Sequence, residues 1–102
     1  MHEFGEIVLA EVQFTDTFET KLRPALILFE EFGNIVVIGI TSNLDMEGIK
    51  ISKKEGALKD SIIKINYIFT ISEKMIKKSL FILSKEKKKI VLNEIIKRLK
   101  ID

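Results

Sequence analysis

The sequence predicts a mostly β, α+β fold: a small, strongly curved antiparallel sheet or barrel capped by one C-terminal helix. Two observations carry this. Short β-branched runs, EIVLAEVQF, PALILFEEF, NIVVIGI, GIKIS, SIIKINYIFTI and KKSLFIL, follow one another across polar or Gly-containing breaks, as hairpin-connected strands do. After Ser84 the apolar spacing changes from strand-like to about 3.6 residues, the period of a helix.

Taking the elements in order, residues 6–14 alternate, with Ile7, Leu9 and Glu11 on one side and Val8, Ala10 and Val12 on the other. TDTFETKL (15–22) is polar and longer than a tight hairpin needs, which marks it as a candidate functional loop. PALILFEEF (24–32) opens on the chain's only proline, a residue tolerated at the first position of a strand. Gly33-Asn34 then reads as a hairpin turn into the next strand. Both of these strands are almost continuously apolar, so both of their faces should be covered, by core, a packed helix or a dimer contact.

GIKIS (48–52) is a short strand and KKEGALKD (53–60) a loop. SIIKINYIFTI (61–71) is a strand with Lys64 and Asn66 opposite Ile63, Ile65 and Tyr67, SEKMI (72–76) a single helical turn, and 77–83 the last strand. A helix over about 85–99 follows, with Ser84 as N-cap. Leu92, Ile95, Ile96 and Leu99 form one stripe with Val91 at its edge, and Lys85, Lys87, Lys88, Lys89 and Lys97 line the start and polar side. Lysines at the positive end of a helix are mildly unfavourable, so helix stability does not explain them. Phe14, Phe29, Phe32 and Phe81 are assigned to the core or a dimer contact, Tyr67 and Phe69 to packing, and His2 to a disordered surface terminus.

The 102 residues make one domain, 1–102, with a single modest core. Cysteine is absent, which excludes disulfides, thiolate catalysis and cysteine zinc sites. One histidine argues against a histidine-based metal site or a serine–histidine triad. Chemistry must then come from carboxylates, hydroxyls, amides, Lys, Arg or backbone. No signal peptide is visible, and no apolar run approaches the roughly 20 residues that span a bilayer, so the expected place is the cytoplasm, with no membrane. Lysine and isoleucine are abundant while arginine occurs only at 23 and 98, a bias of AT-rich prokaryotic genomes. Charge is asymmetric: residues 1–49 hold nine acids against two bases, net −7, and residues 50–102 hold fifteen bases against six acids, net +9. The basic half could face nucleic acid.

GEIVLAEVQFTD, KLRPALIL, GITSN, KDSIIKI, TISEKMI and SLFILSKEKKKIVLNEIIKRL, in that order and spacing, resemble the successive blocks of the MazF/PemK toxin family over nearly the whole chain. The resemblance implies an SH3-like barrel with a C-terminal helix, homodimeric. It also implies a metal-independent, sequence-selective endoribonuclease of a toxin–antitoxin pair, using no cofactor and acting on single-stranded RNA. The partner would be a cognate antitoxin that lays an extended acidic segment across the RNA groove.

Cleaving RNA without metal means deprotonating the 2′-OH, stabilising a pentavalent phosphorane and protonating the 5′ oxygen. Arg23 matches the family's RP arginine; its planar fork suits phosphate, and Pro24 restrains its backbone. Thr41 and Ser42 match the TS pair, and their hydroxyls are short donors to phosphate oxygens. Glu19 is the candidate general base, with Asp16 second and placed with the RNA contacts. Lys21 and Lys64 are candidate cations along the RNA, and Phe18 is the candidate aromatic for stacking on an unpaired base. One block departs from the family: where many members have Arg-x-Asp, this chain has Lys64-Ile65-Asn66, and Asn66, which can be neither acid nor base, is a candidate RNA contact.

Two other readings stay open. One is a non-catalytic binder on the same fold, like the related gyrase poisons, against which the RP and TS blocks speak. The other is a general RNA- or DNA-binding barrel using Lys85, Lys87, Lys88 and Lys89, with strongly salt-dependent affinity.

Overall fold

The computed structural model describes residues 2–13 and 20–100. Six strands form one antiparallel sheet: β1 (Glu6–Gln13), β2 (Thr20–Glu31), β3 (Asn34–Thr41), β4 (Ile49–Ile51), β5 (Ser61–Ser72) and β6 (Ile76–Ile82). The order across the sheet is β4-β5-β3-β2-β1-β6, curled into a half-barrel. One helix, α1 (Lys85–Leu99), closes the described chain, and single 3-10 turns at Lys53–Glu55 and Glu73–Met75 precede β5 and β6. The expected fold class therefore holds.

Alternation along the central strands feeds two apolar clusters. Ile7, Leu26, Ile38 and Ile40 join Ile51, Ile63, Ile65, Leu83 and Val91 in one. Val8, Ala10, Ala25, Ile27, Ile35 and Val37 join Ile71 in the other, with Phe69, Met75 and Ile76 packed on it. Consecutive residues of β2 and β3 thus point into different clusters, which is why these strands are apolar without a break.

Several local expectations change. β2 begins at Thr20, so Thr20–Leu22 are strand and not loop, and Pro24 lies inside the strand, opposite Leu9 of β1. The β2–β3 turn is Phe32-Gly33, both with left-handed backbone (φ 51° and 79°), and Asn34 already pairs with Glu31. That is the two-residue, both-positive-φ geometry that matches strand twist, and glycine is at home at its second position. Phe32 consequently projects fully into solvent and Phe29 is half exposed, so neither is core; Phe81 packs against the first cluster. Phe14 lies outside the described residues.

The Ser84 cap is present, its hydroxyl accepting from Lys87 N at 3.1 Å, an interaction type that contributes about 1 kcal/mol. The helical stripe does not all turn inward: Val91 is buried and Ile95 packs on the core, while Leu92, Ile96 and Leu99 are exposed. The lysines at the helix start are partly structural. Lys87 donates to the Lys50 carbonyl at 2.7 Å and pairs with Glu55 at 3.3 Å, tying α1 to the β4 region. Desolvation pushes the Glu55 carboxyl up, but the Ser52 amide and the Lys87 charge outweigh it and hold the carboxyl below its ordinary value.

Candidate functional site

The site arises where the sheet splits. The β2–β3 ladder ends at Ala25↔Gly39, because the next residue of β2 is Pro24, which has no amide to donate. Beyond it, β2 stays paired with β1 from Pro24 to Thr20, while Ile40 and Thr41 of β3 pair with Ile63 and Ile62 of β5. Two hollows, each about 200 Å³, open at the parting, and Arg23, Pro24 and Ile40 line both.

The first hollow, on the side of Ile7, Ile51 and Phe81, also carries Ser42, Leu58 and Lys59. The second carries Thr41, Lys64, Tyr67 and Phe69 with Gly39. Thr41 and Ser42 are consecutive at a strand end and so reach opposite sides of the Arg23 ridge. The Thr41 hydroxyl oxygen accepts from Asn43 N at 3.1 Å, which leaves its hydrogen available to donate. Among the described residues, the charged side chains that line the hollows are cations: Arg23 in both, Lys59 in the first and Lys64 in the second.

A wide bulge in β5 shapes the second hollow. Between the pairs Ile38↔Ile68 and Ile40↔Ile63, the single residue Gly39 faces four residues of β5, Lys64 to Tyr67. The extra length breaks strand alternation, so Lys64 and Tyr67, of opposite parity, both line the hollow while Asn66 is exposed elsewhere. The edge of the Tyr67 ring abuts Gly39: a methyl group there would come within 2.5 Å of Tyr67 Cδ2. Phe69 braces the ring at 5.2 Å between centroids with planes tilted by 60°, and Lys64 Nζ lies over it at 5.7 Å. Tyr67 remains 50% exposed.

Of the expected site residues, Arg23, Thr41, Ser42 and Lys64 come together around the parting. Lys21 is exposed on β2 opposite Val12, and neither it nor Asn66 lines a hollow. Asp16, Phe18 and Glu19 lie outside the described residues. Tyr67 and Lys59 are the additions. Period-two alternation places Tyr67 with Ile63 and Ile65 as a packing residue; the bulge instead brings its half-exposed ring to the second hollow.

His2 also departs from expectation. It is not a loose surface residue: its backbone amide donates to Glu30 at 2.8 Å, and its ring meets Glu6 at 3.0 Å and Glu73 at 3.1 Å. Burial opposes protonation of the ring, but bonding to and charge on Glu6 and Glu73 prevail and raise its pKa above the ordinary 6.5. Ligand atoms of His2, Glu30 and Glu73 lie within 4.8 Å of one another and could hold a cation, but the group shares no residue with the hollows.

The chain is thus a curled antiparallel half-barrel with a C-terminal helix, parted at an arginine–proline pair where cations and hydroxyls come together. The profile of the PemK-like, MazF-like toxins of type II toxin–antitoxin systems matches residues 3–99, and the chain belongs to that family. Its fold is that of the Mycobacterium tuberculosis toxin MazF-mt6, with a TM-score of 0.73 at 22% identity, covering 95% of this chain and 98% of that one. Among curated proteins none matches the chain. Among the described residues no helix is long and apolar enough to cross a membrane.

Proposed function

We propose that the protein is a metal-independent endoribonuclease toxin that cleaves single-stranded RNA at the parting of β2 and β3. The observation that carries the proposal is Arg23, which lines both hollows at the parting, with Thr41 in one and Ser42 in the other. A phosphodiester laid across the ridge would put its non-bridging oxygens against the guanidinium fork and the hydroxyls, with a nucleotide in each hollow.

The 2′-OH gives its proton to a base, O2′ bonds to phosphorus, the P–O5′ bond breaks, and O5′ takes up a proton. The products are a 2′,3′-cyclic phosphate and a 5′-OH. Arg23 stabilises the extra negative charge of the phosphorane, the step in which preorganised donors contribute most. Glu19 is assigned the base from the family pattern alone. Asn66 is outside the hollows, which supports a site that does not use that position.

Family membership brings with it an antitoxin partner, whose acidic tail the same cation-lined groove suits. Exposed Phe29 and Phe32 support the family's homodimer. An RNA substrate of this kind places the action in the cytoplasm.

The test is cleavage of unpaired RNA in EDTA by antitoxin-free protein. Wild type is expected to leave 2′,3′-cyclic ends, and Arg23→Ala to lose at least about tenfold in rate. A folded sample that cuts no RNA, or an Arg23→Ala variant as active as wild type, would end this reading.

A further inference from the structure

Tyr67 has no task in the chemistry just described, yet its setting is that of a stacking platform. One edge of the ring abuts the bare backbone of Gly39, Phe69 braces it, and half of its surface is open. A buried aromatic would be ordinary packing; an aromatic propped by glycine at the mouth of a cationic hollow offers a π face to a planar ligand.

We propose that Tyr67 stacks on an unpaired nucleobase next to the phosphate held at Arg23, so that the second hollow is a base subsite of the RNA groove. This rests on the ribonucleolytic reading of the same groove and adds the residue that holds one flanking nucleotide. Lys64, which lies over the ring at 5.7 Å, gives way to the base and pairs with the adjoining phosphate. Stacking tolerates any base, so Tyr67 contributes affinity and register; selectivity must come from elsewhere in the groove.

An acidic peptide could use the same cations but has no flat π surface to match the ring. The nucleobase is therefore the occupant to which the geometry points.

Tyr67 is the chain's only tyrosine and there is no tryptophan, so intrinsic emission reports on this ring alone. The probe is a 2′-O-methyl oligoribonucleotide of about eight residues, within the span such grooves bind, which cannot be cleaved. Saturable quenching of the emission is expected, after correction for absorption, at the concentrations where anisotropy shows binding. An abasic oligomer of equal length and poly-glutamate should bind without quenching. Tyr67→Leu should weaken binding of the oligonucleotide about tenfold but leave the abasic oligomer unaffected, and Tyr67→Phe should bind within about twofold of wild type.

Absence of binding, binding without quenching, equal quenching by the abasic oligomer or poly-glutamate, or a Tyr67→Leu variant that binds like wild type would each overturn the inference. Cleavage of unmodified RNA separates the two proposals. Quenching without cleavage keeps the platform and rejects the ribonuclease, and cleavage without quenching does the reverse.

Discussion

Arg23 owes its setting to the residue after it. Pro24 both restricts the arginine's backbone and stops the β2–β3 ladder, so the cation is held where the sheet opens. His2 shows a second residue-scale effect, this time on stability. Its folded-state pKa is raised, so its bonds to Glu6 and Glu73 stabilise the fold fully below pH 6.5, and that contribution fades as pH rises through the folded value. At still lower pH the carboxylates themselves protonate. The thermal midpoint of wild type should therefore exceed that of His2→Gln near pH 6 and converge with it on the alkaline side. A difference that grows with pH would refute the assignment.

At the scale of elements, the bulge in β5 and Gly39 opposite it work as one unit. The Tyr67 ring cannot move aside freely because Phe69 stands 5.2 Å away, so a methyl group at position 39 must force a shift. Gly39→Ala is expected to cost about 1–3 kcal/mol in chemical denaturation, the usual scale for overpacking. In a Tyr67→Leu background the same substitution should cost clearly less, because the ring it collides with is gone. Equal costs in the two backgrounds would mean that the strain lies in the backbone and not at the ring. The bulge also explains why alternation does not reveal that Tyr67 lines the second hollow. Alternation predicts which face a side chain takes only while the ladder keeps its register.

For the whole molecule, the apolar surface left outside is the main feature. Phe29, Phe32, Ile68 and the outer stripe of α1 (Leu92, Ile96, Leu99) are exposed although the sheet's two clusters are complete without them. Such surface suits an interface between copies. Sedimentation equilibrium should accordingly give twice the 11.7 kDa of one chain, and a monomer at micromolar concentration would contradict the homodimer.

Much of this molecule could be read before folding. β-Branched runs, turn residues and the change of period near Ser84 determined the six strands, the helical turn before β6 and the capped C-terminal helix, because these depend on neighbours a few residues away, whereas the 3-10 turn at Lys53–Glu55 falls in a stretch that reads as loop. The RP and TS blocks likewise marked Arg23, Thr41 and Ser42. What only the tertiary structure decided is which residues meet: the parting of β2 from β3, Lys64 and Tyr67 on one side of a bulge with Asn66 excluded, and His2 among three glutamates. Those outcomes depend on register between strands distant in sequence, and a single strand's own pattern carries no information about the partner it slips against.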